Sequence, residues 1–332
     1  MDESINKTDE SEKNEEINQG KQDKRDVQEK KETKSFSFKE FHKKYYKHLL
    51  VLPIILLIFS FGYLFYFYNS TGDYFYKDIS LTGGTTVTII GKTAPSSVIQ
   101  SSLSDKLEDL NVREIYDLIS NEQKATVLET KSDSETTRNV LEEYLGYELN
   151  EENSSFEFTG SALSQSFFKQ LIFAILLAFI FMTIVVFILF RNLIPSGVVI
   201  LSAFADILMT LVTVNLLGIE MSSGGIVAFL MLIGYSVDTD ILLTTRLLKR
   251  REGDLYERIF GAFKTGITMT LTSLVAISIA LIIVNPFSII LSQIFTVIVI
   301  GLFFDIFNTW VTNLSLLEWY IEHSENKHGG VK

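Results

Sequence analysis

Residues 224–246 read GGIVAFLMLIGYSVDTDILLTTR. Up to Asp238 nothing in this stretch carries a charge, and apolar side chains occupy every side of the helix it would form. A helix that is apolar all round belongs in hydrocarbon or a deep core. The twenty residues 224–243 would rise ~30 Å at ~1.5 Å each, the thickness of one bilayer core. Five similar runs stand elsewhere in the chain. Residues 49–68 and 171–190 carry no charge at all. Residues 193–217 are apolar except for Asp206 and Asn215, residues 266–284 carry no charge, and residues 288–310 carry only Asp305. The fold class expected is an α-helical polytopic membrane protein with six transmembrane helices.

The averages conceal this. The chain has 332 residues, 47% hydrophobic and 21% charged, with a formal net charge of −11, values that also suit a soluble acidic protein. Cysteine is absent, which removes disulfides, thiolate-ligated zinc, iron–sulfur clusters and a thiol nucleophile. The four histidines, His42, His48, His323 and His328, lie toward the ends, so a central histidine triad or metal site is not expected.

The organisation follows from how residues are distributed. Residues 1–35 lack aromatics and are rich in Lys, Glu, Asp and Asn, so they read as a disordered tail. Residues 36–68 form a basic flank, with Lys39, Lys43, Lys44 and Lys47, and the first membrane helix. Residues 69–166 form a separate domain that holds most of the acidity. Residues 167–312 hold the other five helices, and 313–332 form a tail. Arg191 and the loop carrying Arg246, Lys249, Arg250, Arg251, Arg258 and Lys264 lie on the same side as the basic flank. Positive charge marks the cytoplasmic side, so both termini are placed there and the 69–166 domain outside. A loop of this kind usually sets topology only, although it could also bind anionic lipid or a partner.

Within that domain, residues 85–90, 112–119, 124–130 and 155–159 read as strands and 96–110 and 134–145 as helices. Ser120-Asn121-Glu122 is the turn of a hairpin and Gly146 a helix stop. The order β-α-β-β-α-β is the ferredoxin-like α+β arrangement, which by itself assigns no activity. Asn69 and Asn153 open glycosylation sequons.

The membrane carboxylates are the chemically informative residues. One ionised Asp at the centre of a membrane helix costs about 2.5–3.5 kcal/mol on insertion scales. Asp206, Asp238, Asp240 and Asp305 together would cost on the order of 10–14 kcal/mol if charged and unpaired. They are therefore protonated, reached by water, or paired with another chain; the plain alternative is interhelical hydrogen bonding. Asp238 and Asp240 are two positions apart and point to nearly opposite faces, one toward the chain's own helices and one toward a partner. They stand roughly 9–12 Å below the helix end at Arg246. Thr265, Thr268 and Thr272 make a hydroxyl stripe, which suits a proton or water path and equally suits close helix packing. Gly83-Gly84 reads first as a turn needing positive φ. No phosphate-binding Gly-x-x-x-x-Gly-Lys-Ser/Thr pattern occurs, so no ATPase is expected.

Taken together, these residues resemble a family. Residues 233–246, with Gly234, Tyr235, Ser236, Asp238, Asp240 and Arg246, resemble the fourth-helix signature of the SecF family, accessory subunits of the Sec protein-export machinery. Asp78-Ile-Ser-Leu-Thr-Gly83-Gly84-Thr85 resembles that family's segment after the first helix. Gly160-Ser-Ala-Leu163 stands where a short segment leads into the second helix, and Asp206 and Glu220 stand where the family carries acids. The resemblance covers residues 49–317. It implies pairing with SecD in a pseudo-symmetric assembly related to the resistance-nodulation-division transporters, association with a SecYEG-type translocon, and proton-motive force coupled to movement of the outer domains. Asp240 replaces a small polar group of bacterial members, and the pattern looks archaeal-type.

The expected function is a non-enzymatic accessory subunit of protein export in the cytoplasmic membrane. It would contact SecD, the translocon, an unfolded secretory polypeptide and lipid, with no nucleic acid, metal or cofactor. Two alternatives are a small-molecule or lipid exporter of the resistance-nodulation-division superfamily, which would carry a larger outer domain, and a membrane scaffold without ion coupling.

Overall fold

The computed structural model describes residues 49–117, 120, 122–249, 254–285 and 288–328. The acidic tail, the basic flank through Lys47 and residues Arg250, Arg251, Pro286 and Phe287 lie outside the described residues, as does Asn121 of the expected hairpin turn.

Helix α1 spans Val51–Thr71. A single capped turn, α2 (Ile79–Thr82), leads into a small sheet unit made of β1 (Gly84–Ile90), α3 (Ser96–Leu103), β2 (Asn111–Tyr116), β3 (Gln123–Thr130), α4 (Ser134–Leu145) and β4 (Ser154–Thr159). Four long helices follow: α5 (Ser161–Phe190), α6 (Leu193–Leu216), α7 (Ser223–Leu248) and α8 (Leu255–Val284). Helix α9 (Ile289–Phe307) passes through a π-helical stretch, Asn308–Asn313, into α10 (Leu314–His328). Six of these helical stretches are long and apolar enough to cross a membrane, with α9, the π stretch and α10 counting as one. The residues expected to form a C-terminal tail therefore continue the last helix as far as His328, and Leu314, Leu317 and Ile321 are buried there.

The sheet order is β2-β3-β1-β4 with every neighbouring pair antiparallel. Alternation of side chains puts Val87, Ile89, Val112 and Leu128 on one face, where Ile99 and Leu103 of α3 and Leu141 of α4 cover them. Leu128 sits opposite Val87 on one side and Val112 on the other and is fully buried. Asp133 caps α4 by accepting from Glu135 N and Thr136 N, and Gly146, at φ 78°, ends it. Helix α3 stops at Leu103, short of the expected residue 110. Leu107 and Leu110 still reach the core from the turns that follow.

Among the long helices, α6 and α7 are central, with more than half of their apolar windows buried, whereas α1, α5 and α8 are mostly exposed. Short connections enforce antiparallel neighbours. Arg191 adopts a left-handed conformation at φ 51°, and Asn192 caps α6 by accepting from Ile194 N. Ser222 caps α7 by accepting from Gly225 N. Asp254 and Glu257 form a capping box at the start of α8.

The chain entering the sheet unit is stitched to the α6–α7 connection. Met221 N donates to the Tyr76 carbonyl at 2.7 Å, and Asp78 N donates to the Met221 carbonyl at 3.1 Å. Asn215 Nδ2 donates to the Tyr74 carbonyl at 2.8 Å, and Ser223 N to Ser80 Oγ at 2.9 Å. Gly83 packs so closely that a Cβ would lie 2.5 Å from Ser161 Cα, at φ 88°. The close approach and positive φ together require glycine at this position.

Candidate functional site

Three carboxylates meet in the middle of the helical part. Asp206 comes from α6, Asp240 from α7 and Asp305 from α9, and each has 0% exposure. Ser236, one turn before Asp240, donates to Asp206 Oδ2 at 2.5 Å, and Asn308 Nδ2 donates to Asp206 Oδ1 at 2.7 Å. Asp240 Oδ1 accepts from Asn313 Nδ2 at 2.6 Å, Thr309 Oγ1 at 2.8 Å and Ser202 Oγ at 3.3 Å. Thr309 Oγ1 also lies 3.4 Å from Asp305 Oδ1. Thr312 holds the Asn308 amide in place by donating to its Oδ1 at 3.0 Å.

The π-helical stretch explains how one helix serves both aspartates. Asn308 and Asn313 are five positions apart, and in an α-helix they would point about 140° away from each other. The i→i+5 turn brings such residues to one face. Leu314 N donates to the Thr309 carbonyl in this pattern, and both amides reach the cluster. Single-turn π stretches concentrate at functional sites.

The other candidates are placed as follows. Asp238 lies on the exposed face of α7 with Met231, Gly234 and Tyr235, opposite the buried Asp240. Arg246 does not approach Asp238; its Nη1 donates to the Gly261 carbonyl on α8. The stripe Thr265, Thr268 and Thr272 does not join the carboxylates. Each hydroxyl donates to a carbonyl four residues back on α8, namely those of Gly261, Lys264 and Thr268. That back-bonding satisfies them locally. The hydroxyl of α8 that faces α7 is instead Thr270, 3.5 Å from Thr239.

Asp78 sits at the edge of the sheet unit as the cap of α2. Its Oδ1 accepts from Ser80 N at 2.8 Å and from Ser80 Oγ at 2.6 Å. Burial pushes its carboxyl above the ordinary aspartate range, against the downward pull of the Ser80 hydrogen bonds. Burial likewise raises the Glu129 carboxyl; Arg113 opposes the rise, and Asp78 and Glu220 add to it. Asn111 Nδ2 reaches Glu220 Oε2 at 3.3 Å. Gly84, at φ 151°, lies against the Thr130 backbone at the start of β1. The described residues hold no group of three or more His, Cys, Asp and Glu side chains placed to bind a metal ion.

Sequence reasoning did not single out Ser202, Asn308, Thr309 or Asn313. For Asn308 and Thr309 the signal was available in the polar residues that follow Asp305 at the end of the last apolar run; Asn313 stands just beyond that run, and Ser202 is one small hydroxyl within the run that carries Asp206.

The chain is similar to known proteins over most of its length. The family model described as protein export membrane protein SecD/SecF, C-terminal, matches residues 140–323. A protein-export membrane protein SecF from Methanocaldococcus jannaschii is 41% identical over 284 residues, covering 84% of this chain and 96% of that one. A SecF from Methanolacinia petrolearia is 38% identical over 281 residues, covering 83% and 94%. Among solved structures, SecDF of Thermus thermophilus, described as a translocon-associated membrane protein, superposes with a TM-score of 0.63 at 18% identity. That match covers 83% of this chain and 38% of the longer one, and it speaks for the fold.

Proposed function

The chain belongs to the SecD/SecF family of protein-export membrane proteins, and from that premise we propose that it is an accessory subunit of the Sec translocation machinery. It works with a SecD-type partner to promote passage of proteins across the cytoplasmic membrane, without catalysing a reaction of its own. The observation that carries this reading is its likeness to archaeal SecF along nearly their full length.

The finer reading has several parts. Both termini lie in the cytoplasm and the sheet unit lies outside, as the basic flanks require. The strand order β2-β3-β1-β4 supports a ferredoxin-like unit there. Asp238, on the outward face of α7, belongs to the surface that meets SecD, since an aspartate facing lipid alone would be costly. The translocon, the unfolded polypeptide and lipid are the remaining partners. Proton-motive force acts through Asp206, Asp240 and Asp305, which α6, α7 and α9 hold together away from solvent.

Affinity purification in mild detergent tests the core of this reading. Recovery of a SecD-type subunit is expected; recovery of self-oligomers alone would overturn it. Orientation is tested by a cysteine at Ser134, an unambiguous probe because the chain has no native thiol. It should react with an impermeant maleimide in intact cells, and labelling only after lysis would reverse the topology.

A further inference from the structure

The three enclosed carboxylates are not equally supplied with donors. Asp206 has one donor on each oxygen, Ser236 and Asn308. Asp240 has an amide and two hydroxyls on Oδ1. Asp305 has Ser236 and Thr309 beside it, but a hydroxyl carries a single hydrogen. Ser236 commits its hydrogen to Asp206 at 2.5 Å, and Thr309 stands nearer Asp240, at 2.8 Å against 3.4 Å. Asp305 is thus left without a donor of its own, and Asp305 Oδ2 and Asp240 Oδ2 are buried with no hydrogen-bond partner.

Cations do not make up the deficit. Among the described residues no Lys or Arg forms an ion pair with any of the three. Helix α6 carries none at all, and Arg246 of α7 is turned toward the Gly261 carbonyl. Three adjacent buried anions without a counter-charge would each bear an uncompensated desolvation cost and repel one another. An ionised carboxylate can only accept hydrogen bonds, whereas a protonated one supplies an O–H donor. One proton removes one of the three charges, lessens the repulsion among the carboxylates and adds one donor to the cluster, and the carboxylate with the fewest donors is where it costs least.

We propose that Asp305 carries a proton at neutral pH, while Asp206 and Asp240 are the ionised acceptors that the Ser, Thr and Asn side chains serve. Asp305 is then the proton-carrying residue of the coupling proposed above. The assignment of the proton stands on the donor geometry; its use in export rests on that reading.

The test is infrared spectroscopy of the full-length protein in lipid nanodiscs at neutral pH, following the carbonyl stretch of a protonated carboxylic acid. Each aspartate is replaced in turn by glutamate, which preserves the charge but shifts the band. Asp305→Glu should move the band, and Asp206→Glu and Asp240→Glu should leave it in place. A band that moves with either of the latter, or a wild-type protein with no such band, would overturn the assignment. Thermal unfolding gives an independent check that survives poor folding of a glutamate variant. Asn mimics a protonated Asp, so Asp305→Asn should retain the wild-type Tm and Asp206→Asn and Asp240→Asn should lower it; the reverse order would also overturn the assignment. Export by Asp305→Asn is read separately. Normal export alongside the expected band shift would remove proton coupling and leave the proton on Asp305.

Discussion

Replacing Asn313 by Ala removes the shortest hydrogen bond to Asp240, at 2.6 Å. A hydrogen bond to a charged group contributes about 1.5–3 kcal/mol, and one between neutral groups about 0.5–1.5 kcal/mol. Asn313 Oδ1 is itself buried without a partner, so its removal returns roughly 1 kcal/mol of desolvation cost. The single variant should therefore destabilise by only ~1–2 kcal/mol, which says little alone. A double-mutant cycle with Asp240→Ala isolates the pair. With Asp240 ionised, the coupling should reach about 1.5–3 kcal/mol; with Asp240 protonated it should stay near 1 kcal/mol or less. The assay is reversible unfolding in mixed detergent–SDS micelles, with all four proteins measured at one pH. Thr272→Ala, whose hydroxyl bonds only its own helix, should show no coupling to Asp240. A coupling below about 0.5 kcal/mol for Asn313 would refute the view that the π stretch exists to present donors to Asp240.

Three further outcomes are expected. Asp78 holds its folded carboxyl above the ordinary value of 3.8, so its protonated form is favoured in the folded state. The stability it contributes is complete below that value and is lost as pH rises through the folded value. Asp78→Asn should therefore flatten the fall of Tm as pH rises above about 4, and an unchanged slope would show that burial of Asp78 is not what shifts it. Gly266→Ala should destabilise by about 1–3 kcal/mol through overpacking, because its Cβ would fall 2.5 Å from the Trp310 ring; a wild-type Tm would contradict that packing. Leu128→Ala, at a fully buried site between two strand neighbours, should cost about 2–5 kcal/mol, measured by chemical denaturation of the intact chain.

What was legible in the sequence depended on how local its cause was. The long helices show because twenty residues without charge have few other physical outcomes. Strands β1 and β3 show because β-branched residues crowd them, without a break from Thr85 to Ile90 and at Thr126, Val127 and Thr130. The single turn Ile79–Thr82 does not show, since its helicity depends on the Asp78 cap and on docking to Ser223. Asp206, Asp240 and Asp305 stood out as charges in apolar runs. Their amide partners did not, because Asn308 and Asn313 share a face only if the helix widens by one residue, a feature set by tertiary packing. The threonine stripe was misleading for the complementary reason. Its spacing suits a path, but each hydroxyl is consumed within its own helix.

The stitching of the Tyr74–Ser80 region to the α6–α7 connection also sets an order of events during biosynthesis. All four strands of the sheet are complete once residue 159 has been made, so the unit can close on its own contacts early. Its anchor cannot form then, because Ser80 and Ser223 are 143 positions apart. At ribosomal rates of about 5–20 residues per second, synthesis from residue 159 to Ser223 keeps the finished sheet waiting roughly 3–13 s for its seat. Throughout that interval the backbone groups of residues 74–78 that later bond to Asn215 and Met221 must be satisfied by water or a chaperone.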